Sequence, residues 1–119
     1  MAKGALIAAM NIGRASESEF QDWYDTEHLP ERQRVPGFLV CERWIGASDR
    51  KVSVATYDLE TVGVLQTPAY LAIGGENLSP WSKRVTSQVV ALANVPRAIR
   101  EHRCGGGANI ADGDLHQRP

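Results

Sequence analysis

The stretch FQDWYDTEHLPERQRVPGF, residues 20–38, sets carboxylates and an imidazole where an aromatic helix face should continue. Phe20, Trp23 and Tyr24 fall within about 100° of arc on a helical wheel, the width of a core-facing stripe. Glu27 returns to about 20° from Phe20, near the centre of that stripe, and His28 lies about 80° away on its flank. Glu31 comes back to the centre if the helix continues. Histidine, with an ordinary pKa of about 6.5, exchanges protons near neutrality without elaborate tuning. Asp25 or a glutamate would fix its tautomer, leaving the other nitrogen for a carbonyl or phenol. Tyr24 or Asn11 would then steady the developing oxyanion. The competing reading makes His28 the polar edge of a short helix. Chemistry requires an enclosed cavity against His28; an edge histidine sits in water over a filled core.

A carboxylate on a core-facing line needs a partner or a wet cavity. Arg32, five residues along the same helix, is poorly placed to pair with Glu27; Arg43 or Asn11, on neighbouring strands, would serve. Glu27 and Glu31 equally suit the point where a helix meets solvent. Tyr57 shares a strand face with the small Ser53 and Ala55, which leaves room for a ring. Trp23, Tyr57, Tyr70 and Trp81 are therefore candidate cavity walls, with core packing as the alternative for Trp81. Glu27 and Arg43 are candidate ligand contacts.

No metal site is expected, because His102 and His116 are remote from His28 and no compact ligand set exists. No cofactor is expected either. GGEN and the glycines of CGGG lack the strand, glycine loop and helix of a nucleotide fingerprint. Cys41, within a strand beside Glu42, reads as core. With Cys104 it makes no CxxC pattern, and two free thiols in a reducing cytoplasm are the plainer expectation.

The elements that must position these groups follow from turn and cap signals. GALIAAM (4–10) reads as a strand. Ser16 is an N-cap with Glu19 completing a capping box, and a helix runs over 17–29, with Pro30 kinking or ending it and ERQRV adding a turn before Pro36-Gly37. Strands follow at 38–45 and 52–59. Thr67-Pro68 and Ser79-Pro80 open short helices at about 68–73 and 80–86, and a last strand covers about 87–95. The order is β-α-β-β-α-β, a ferredoxin-like α+β fold with helices on one face of a four-stranded antiparallel sheet. Residues 1–103 form one domain, and 104–119 a flexible C-terminal tail. Val52, Val54 and Thr56 alternate with Ser53, Ala55 and Tyr57, so both faces of that strand carry apolar surface. A half-buried strand should show one polar face. Pairing of two chains through their sheets, a homodimer, would bury the second.

At 119 residues with 43% hydrophobic side chains, the composition is that of one globular domain. Thirteen basic and 14 acidic residues leave a net charge of -1, and the bases are scattered, so no nucleic-acid partner is expected. ALIAAM and VVALA fall far short of the about 20 residues of a membrane span, and no secretion signal follows Lys3. A cytoplasmic protein without a membrane partner is expected.

The helix motif resembles that of the dimeric α+β barrel superfamily, in particular small EthD-like proteins. The matching residues are Trp23, Tyr24, Glu27, His28, Leu29, Pro30, Glu31, Arg32, Pro36, Gly37 and Phe38, and VLQTPAYLAI with SPWSKRV resembles the second half, so the likeness spans about residues 5–100. It implies ferredoxin-like subunits whose sheets pair into a homodimeric barrel, and a ligand between helices and sheet with the histidine at position 28 lining the cavity. It also implies a spread of activities, and reaction does not transfer with fold. The enzyme so drawn uses His28, metal-free, for proton transfer on a small hydrophobic aromatic or polyketide-like carbonyl or phenol, as an isomerase, cyclase or lyase. The alternatives are a cofactor-free monooxygenase of the same fold and a non-catalytic dimeric ligand-binding or stress-related protein.

Overall fold

A computed structural model describes residues 3–98 and the backbone of 115–117. The chain runs β1 (Gly4–Asn11), α1 (Glu17–Trp23), a π-helical turn (Tyr24–His28), α2 (Leu29–Gln33), β2 (Phe38–Gly46) and β3 (Val52–Leu59). A 3₁₀ turn (Val62–Gln66), α3 (Pro68–Leu71), a second 3₁₀ turn (Gly75–Asn77), α4 (Pro80–Thr86), β4 (Val90–Ala98) and β5 (Leu115–Gln117) complete it. Residues 99–114, with His102 and Cys104, lie outside the described residues, as does most of the expected tail.

The strands form one antiparallel sheet in the order β4-β1-β3-β2-β5. Its first four strands have the ferredoxin-like order. Leu6 and Cys41 flank Tyr57 in register, so these three side chains share a face. That face carries the helices. The core lies between them and includes Leu6, Phe20, Trp23, Tyr24, Phe38, Ala55, Tyr57, Leu59 and Val85.

The expected α+β barrel is not formed. The sheet is open, with β4 and β5 at opposite edges and three strands between them. Closure would require those edges to pair, and the register pairs β4 only with β1 and β5 only with β2. Apolar residues on both faces of a strand, from which sheet pairing was inferred, do not dictate closure. On the face away from the helices Val54 is buried within the single chain, whereas Val40 and Val90 remain exposed.

The first helix distorts at Pro30 and runs on, one of the two outcomes its sequence left open. Pro30 does not end it. Pro30 has no N–H to give Thr26, and its ring crowds that carbonyl. The backbone answers with a wider turn just before it: the N–H of Leu29 reaches back to the carbonyl of Tyr24, an i→i−5 bond. The helix then runs on to Gln33. Gly37 ends the connection at φ 98°, where a Cβ would lie 2.4 Å from Val64 Cγ2, so only glycine fits.

Capping follows the sequence signals with one change. Ser16, Thr67 and Ser79 accept the N–H groups of Glu19, Tyr70 and Ser82. The side chain of Glu19 does not close a capping box; its Oε1 accepts from Trp81 Nε1 at 3.0 Å. The last strand begins at Val90 rather than 87, because Ser87 caps α4 and the Gln88 N–H returns to the Val85 carbonyl.

Candidate active site

A cavity of about 450 Å³ lies between the first helix, the sheet and the α3 segment. Trp23, Tyr24, His28 and Arg32 line it from the helix, Leu6, Ala8 and Tyr57 from the sheet, and Tyr70 and Leu71 from α3. Its size falls within the about 300–1,000 Å³ typical of small-molecule sites.

The π turn decides which side chains face this space. On a regular helix Glu27 would take the centre of the stripe and His28 its flank. The wider turn moves each position back around the axis, and a residue five places on comes round to lie over its predecessor. His28 accordingly stacks on Trp23, with ring centroids 4.4 Å apart and planes at 31°, and meets Tyr24 edge-on at 4.7 Å. Glu27 swings toward α4. There its Oε2 accepts from Ser79 Oγ at 2.7 Å and Ser82 Oγ at 2.9 Å. Ser82 Oγ also accepts from Trp23 Nε1 at 2.9 Å, so one carboxylate ties both helices together.

His28 is 8% exposed, and its Nδ1 is buried with no hydrogen-bond partner. Burial, helped by the nearby charges of Arg32 and Arg43, drives its pKa from 6.5 down to about 2. The imidazole is therefore neutral at any working pH. The ring lines the cavity, while Nδ1 itself is shut off from its open space. The ring lies in the wall of a partly open cavity, not in bulk water.

Asp25 does not serve His28. It binds Arg43 at 2.6 Å, and the Arg43 guanidinium, also bonded to Ser53 Oγ at 3.1 Å, lies 4.2 Å from the centroid of the Tyr24 ring. Arg43 thus supports Tyr24 from behind rather than pairing with Glu27, and it does not line the cavity. The Tyr24 and Tyr57 hydroxyls share a hydrogen bond of 2.9 Å. Burial raises both phenols above their ordinary pKa, so the pair stays protonated.

The remaining candidates divide. Tyr70 lines the cavity and stacks on Phe38 at 5.7 Å. Asn11 instead makes a turn, its Oδ1 accepting from the Gly13 N–H at 2.8 Å. Trp81 lies outside the cavity wall, fastened to Glu19. Cys41 is a half-buried free thiol, pushed up to about 11 mainly by burial. Sequence reasoning passed over Arg32 as a cavity residue. It weighed that side chain only against Glu27, although the i, i+4 spacing from His28 places the two as neighbours. Among the described residues, no group of three His, Cys, Asp or Glu side chains could hold a metal ion, and no helix is long and apolar enough to cross a membrane.

No family model and no curated protein matches the chain. Solved structures do. One is SnoaB, a cofactor-independent oxygenase from Streptomyces nogalater, at TM-score 0.64 and 10% identity, with 85% of this chain and 96% of that one covered. A protein from Bordetella bronchiseptica assigned to antibiotic biosynthesis monooxygenases aligns at TM-score 0.61 and 15% identity, covering 85% and 98%. The monooxygenase from the gene ActVA-Orf6 of Streptomyces coelicolor, solved with nanaomycin D, aligns at TM-score 0.52 and 14% identity, covering 88% and 93%. At these identities the likeness establishes the fold. The resemblance to EthD-like proteins is corrected to the broader ferredoxin-like fold that these oxygenases share.

Proposed function

We propose that this chain is a cofactor-independent monooxygenase acting on a flat, hydroxylated, fused-ring aromatic. One observation carries the reading: a buried, neutral imidazole lines a cavity that Trp23, Tyr24, Tyr57 and Tyr70 also wall. The likeness to oxygenase structures favours oxygenation over isomerisation, cyclisation or elimination, all of which would begin with the same proton transfer.

The substrate lies between helix and sheet, walled by Trp23, Tyr57 and Tyr70, and its hydroxyl donates to the imidazole of His28. An imidazole of such low basicity cannot hold the proton of a resting phenol. It can take one from a phenol that is losing an electron, because the oxidised phenol is a far stronger acid. Electron transfer to dioxygen and proton transfer to His28 are thereby coupled. Radical recombination forms a C–O bond at the ring carbon opposite the hydroxyl, His28 returns its proton to the resulting peroxide, and O–O cleavage with loss of the ring C–H proton releases water and leaves a quinone. Phenol and dioxygen give quinone and water, with one oxygen atom in each product. Tyr24, held by Tyr57 and backed by Arg43, fixes the ring plane of His28 and lines its surroundings. In this reading a second copy pairs through the sheet face where Val40 and Val90 are exposed, and the protein works in the cytoplasm.

The test is an oxygen electrode with a panel of two- and three-ring phenols. One dioxygen consumed per quinone formed is expected, with turnover lost in His28→Ala while the circular dichroism spectrum is kept. A substrate rearranged without oxygen uptake would favour the isomerase reading. Tight binding of every phenol without turnover would favour a ligand-binding protein.

A further inference from the structure

Among the described residues two arginines are buried, and they are treated differently. Arg43 is 2% exposed and receives a carboxylate at 2.6 Å and a serine hydroxyl at 3.1 Å. Arg32 is 8% exposed and lines the cavity, and its Nη1 is buried without a hydrogen-bond partner. Its nearest carboxylate oxygen, Glu31 Oε1, stands 3.9 Å from that nitrogen, beyond hydrogen-bonding reach, and is itself buried without a bond. The guanidinium otherwise lies 5.9 Å from the Tyr70 ring centroid. A buried guanidinium in a cavity wall, with one donor left unbonded, matches an anion that arrives with the ligand.

We propose that Arg32 is the anion-recognition residue of the cavity, and that the ligand is an aromatic hydroxy acid. Its carboxylate forms the fork-like pair with Arg32, and its adjacent hydroxyl meets the His28 imidazole. The two side chains sit one helical turn apart, with Cβ atoms about 5–6 Å from each other, which suits neighbouring substituents on one ring. The inference rests on the cavity being the ligand site assigned above, and is independent of the oxygen chemistry.

The probes are 1-hydroxy-2-naphthoate and 1-naphthol, which differ by the carboxylate, titrated without oxygen while Trp fluorescence and heat are followed. The wild-type protein is expected to bind the acid about 30-fold more tightly. Arg32→Gln should abolish that preference, weakening the acid far more than 1-naphthol, and Arg32→Lys should restore part of it, as a point charge without the fork. Should the arginine variants fail to fold, Glu31→Gln serves: removing the competing carboxylate should tighten the acid several-fold. Equal affinity for both probes in the wild-type protein, a preference that survives Arg32→Gln, or an acid affinity unmoved or weakened by Glu31→Gln would overturn the assignment. Acid bound through Arg32 without oxygen uptake from any phenol would leave this inference standing and remove the oxygenase. Oxygen uptake with both probes bound alike would do the reverse.

Discussion

Burying a neutral histidine makes the stability of this protein fall with acid in a way that one substitution isolates. In the unfolded chain His28 titrates at about 6.5; in the folded chain burial and the charges of Arg32 and Arg43 lower it to about 2. The folded-state pKa is the depressed one, so the unfolded chain takes up the proton first. The stability tied to the neutral ring is fully present above pH 6.5 and drains away as pH falls from there toward 2. Each pH unit in that window removes about 1.4 kcal/mol, so moving from pH 7.5 to 5.0 costs about 2 kcal/mol from this residue alone. Urea unfolding at the two pH values, in the wild-type protein and in His28→Gln, isolates the effect. Glutamine does not titrate, and the other ionisable groups cancel in the double difference. The wild-type protein should lose about 2 kcal/mol more than the variant. Equal losses would mean that His28 titrates as it does in water, and that the dry cavity invoked here is wet.

The same burial shapes activity. The acid limb of kcat/KM should show no inflection near pH 6.5, because His28 stays neutral far below it; a 30-fold fall by pH 5, the expectation for an ordinary histidine, would count against its role as acceptor. Tyr57→Phe leaves the buried Tyr24 hydroxyl without its partner and should cost about 1 kcal/mol in denaturant melts with the fold intact. Asp25→Ala removes a carboxylate from the buried Arg43 and should cost about 2 kcal/mol, discounted from a fully buried pair because Asp25 is a third exposed. Pro30→Ala supplies the missing N–H. A crystal structure should then show a regular α-helix through residues 24–28, with His28 turned toward the flank and turnover reduced; a π turn that persists would show that proline is not its cause.

The legible parts of the molecule were those fixed by local rules. Alternation and turn residues placed β3 at Val52–Leu59, and proline after threonine or serine placed the starts of α3 and α4. The ferredoxin-like order followed from the succession of elements. What escaped was set by geometry that no periodic wheel contains. A constant angle per residue put Glu27 at the centre and His28 on the flank, and one widened turn reversed their standing. The carboxylate went to two serines of α4 and the imidazole to the cavity. Arg32 was within reach of the sequence, since the i, i+4 spacing from His28 marks it once the helix continues past Pro30. Arg43 shows a different limit: its partner, Asp25, lies eighteen positions away across a helix–sheet contact. The open sheet marks a third, because edges close or stay apart through registers that alternation does not specify.

The most direct measurement is a crystal structure of the protein soaked, without oxygen, in a three-ring phenol. Density for the rings is expected between Trp23 and Tyr57, with the hydroxyl oxygen about 3 Å from a ring nitrogen of His28. A ligand settled on the outer face of the sheet, or ordered water on that nitrogen with the cavity closed to the phenol, would contradict the account.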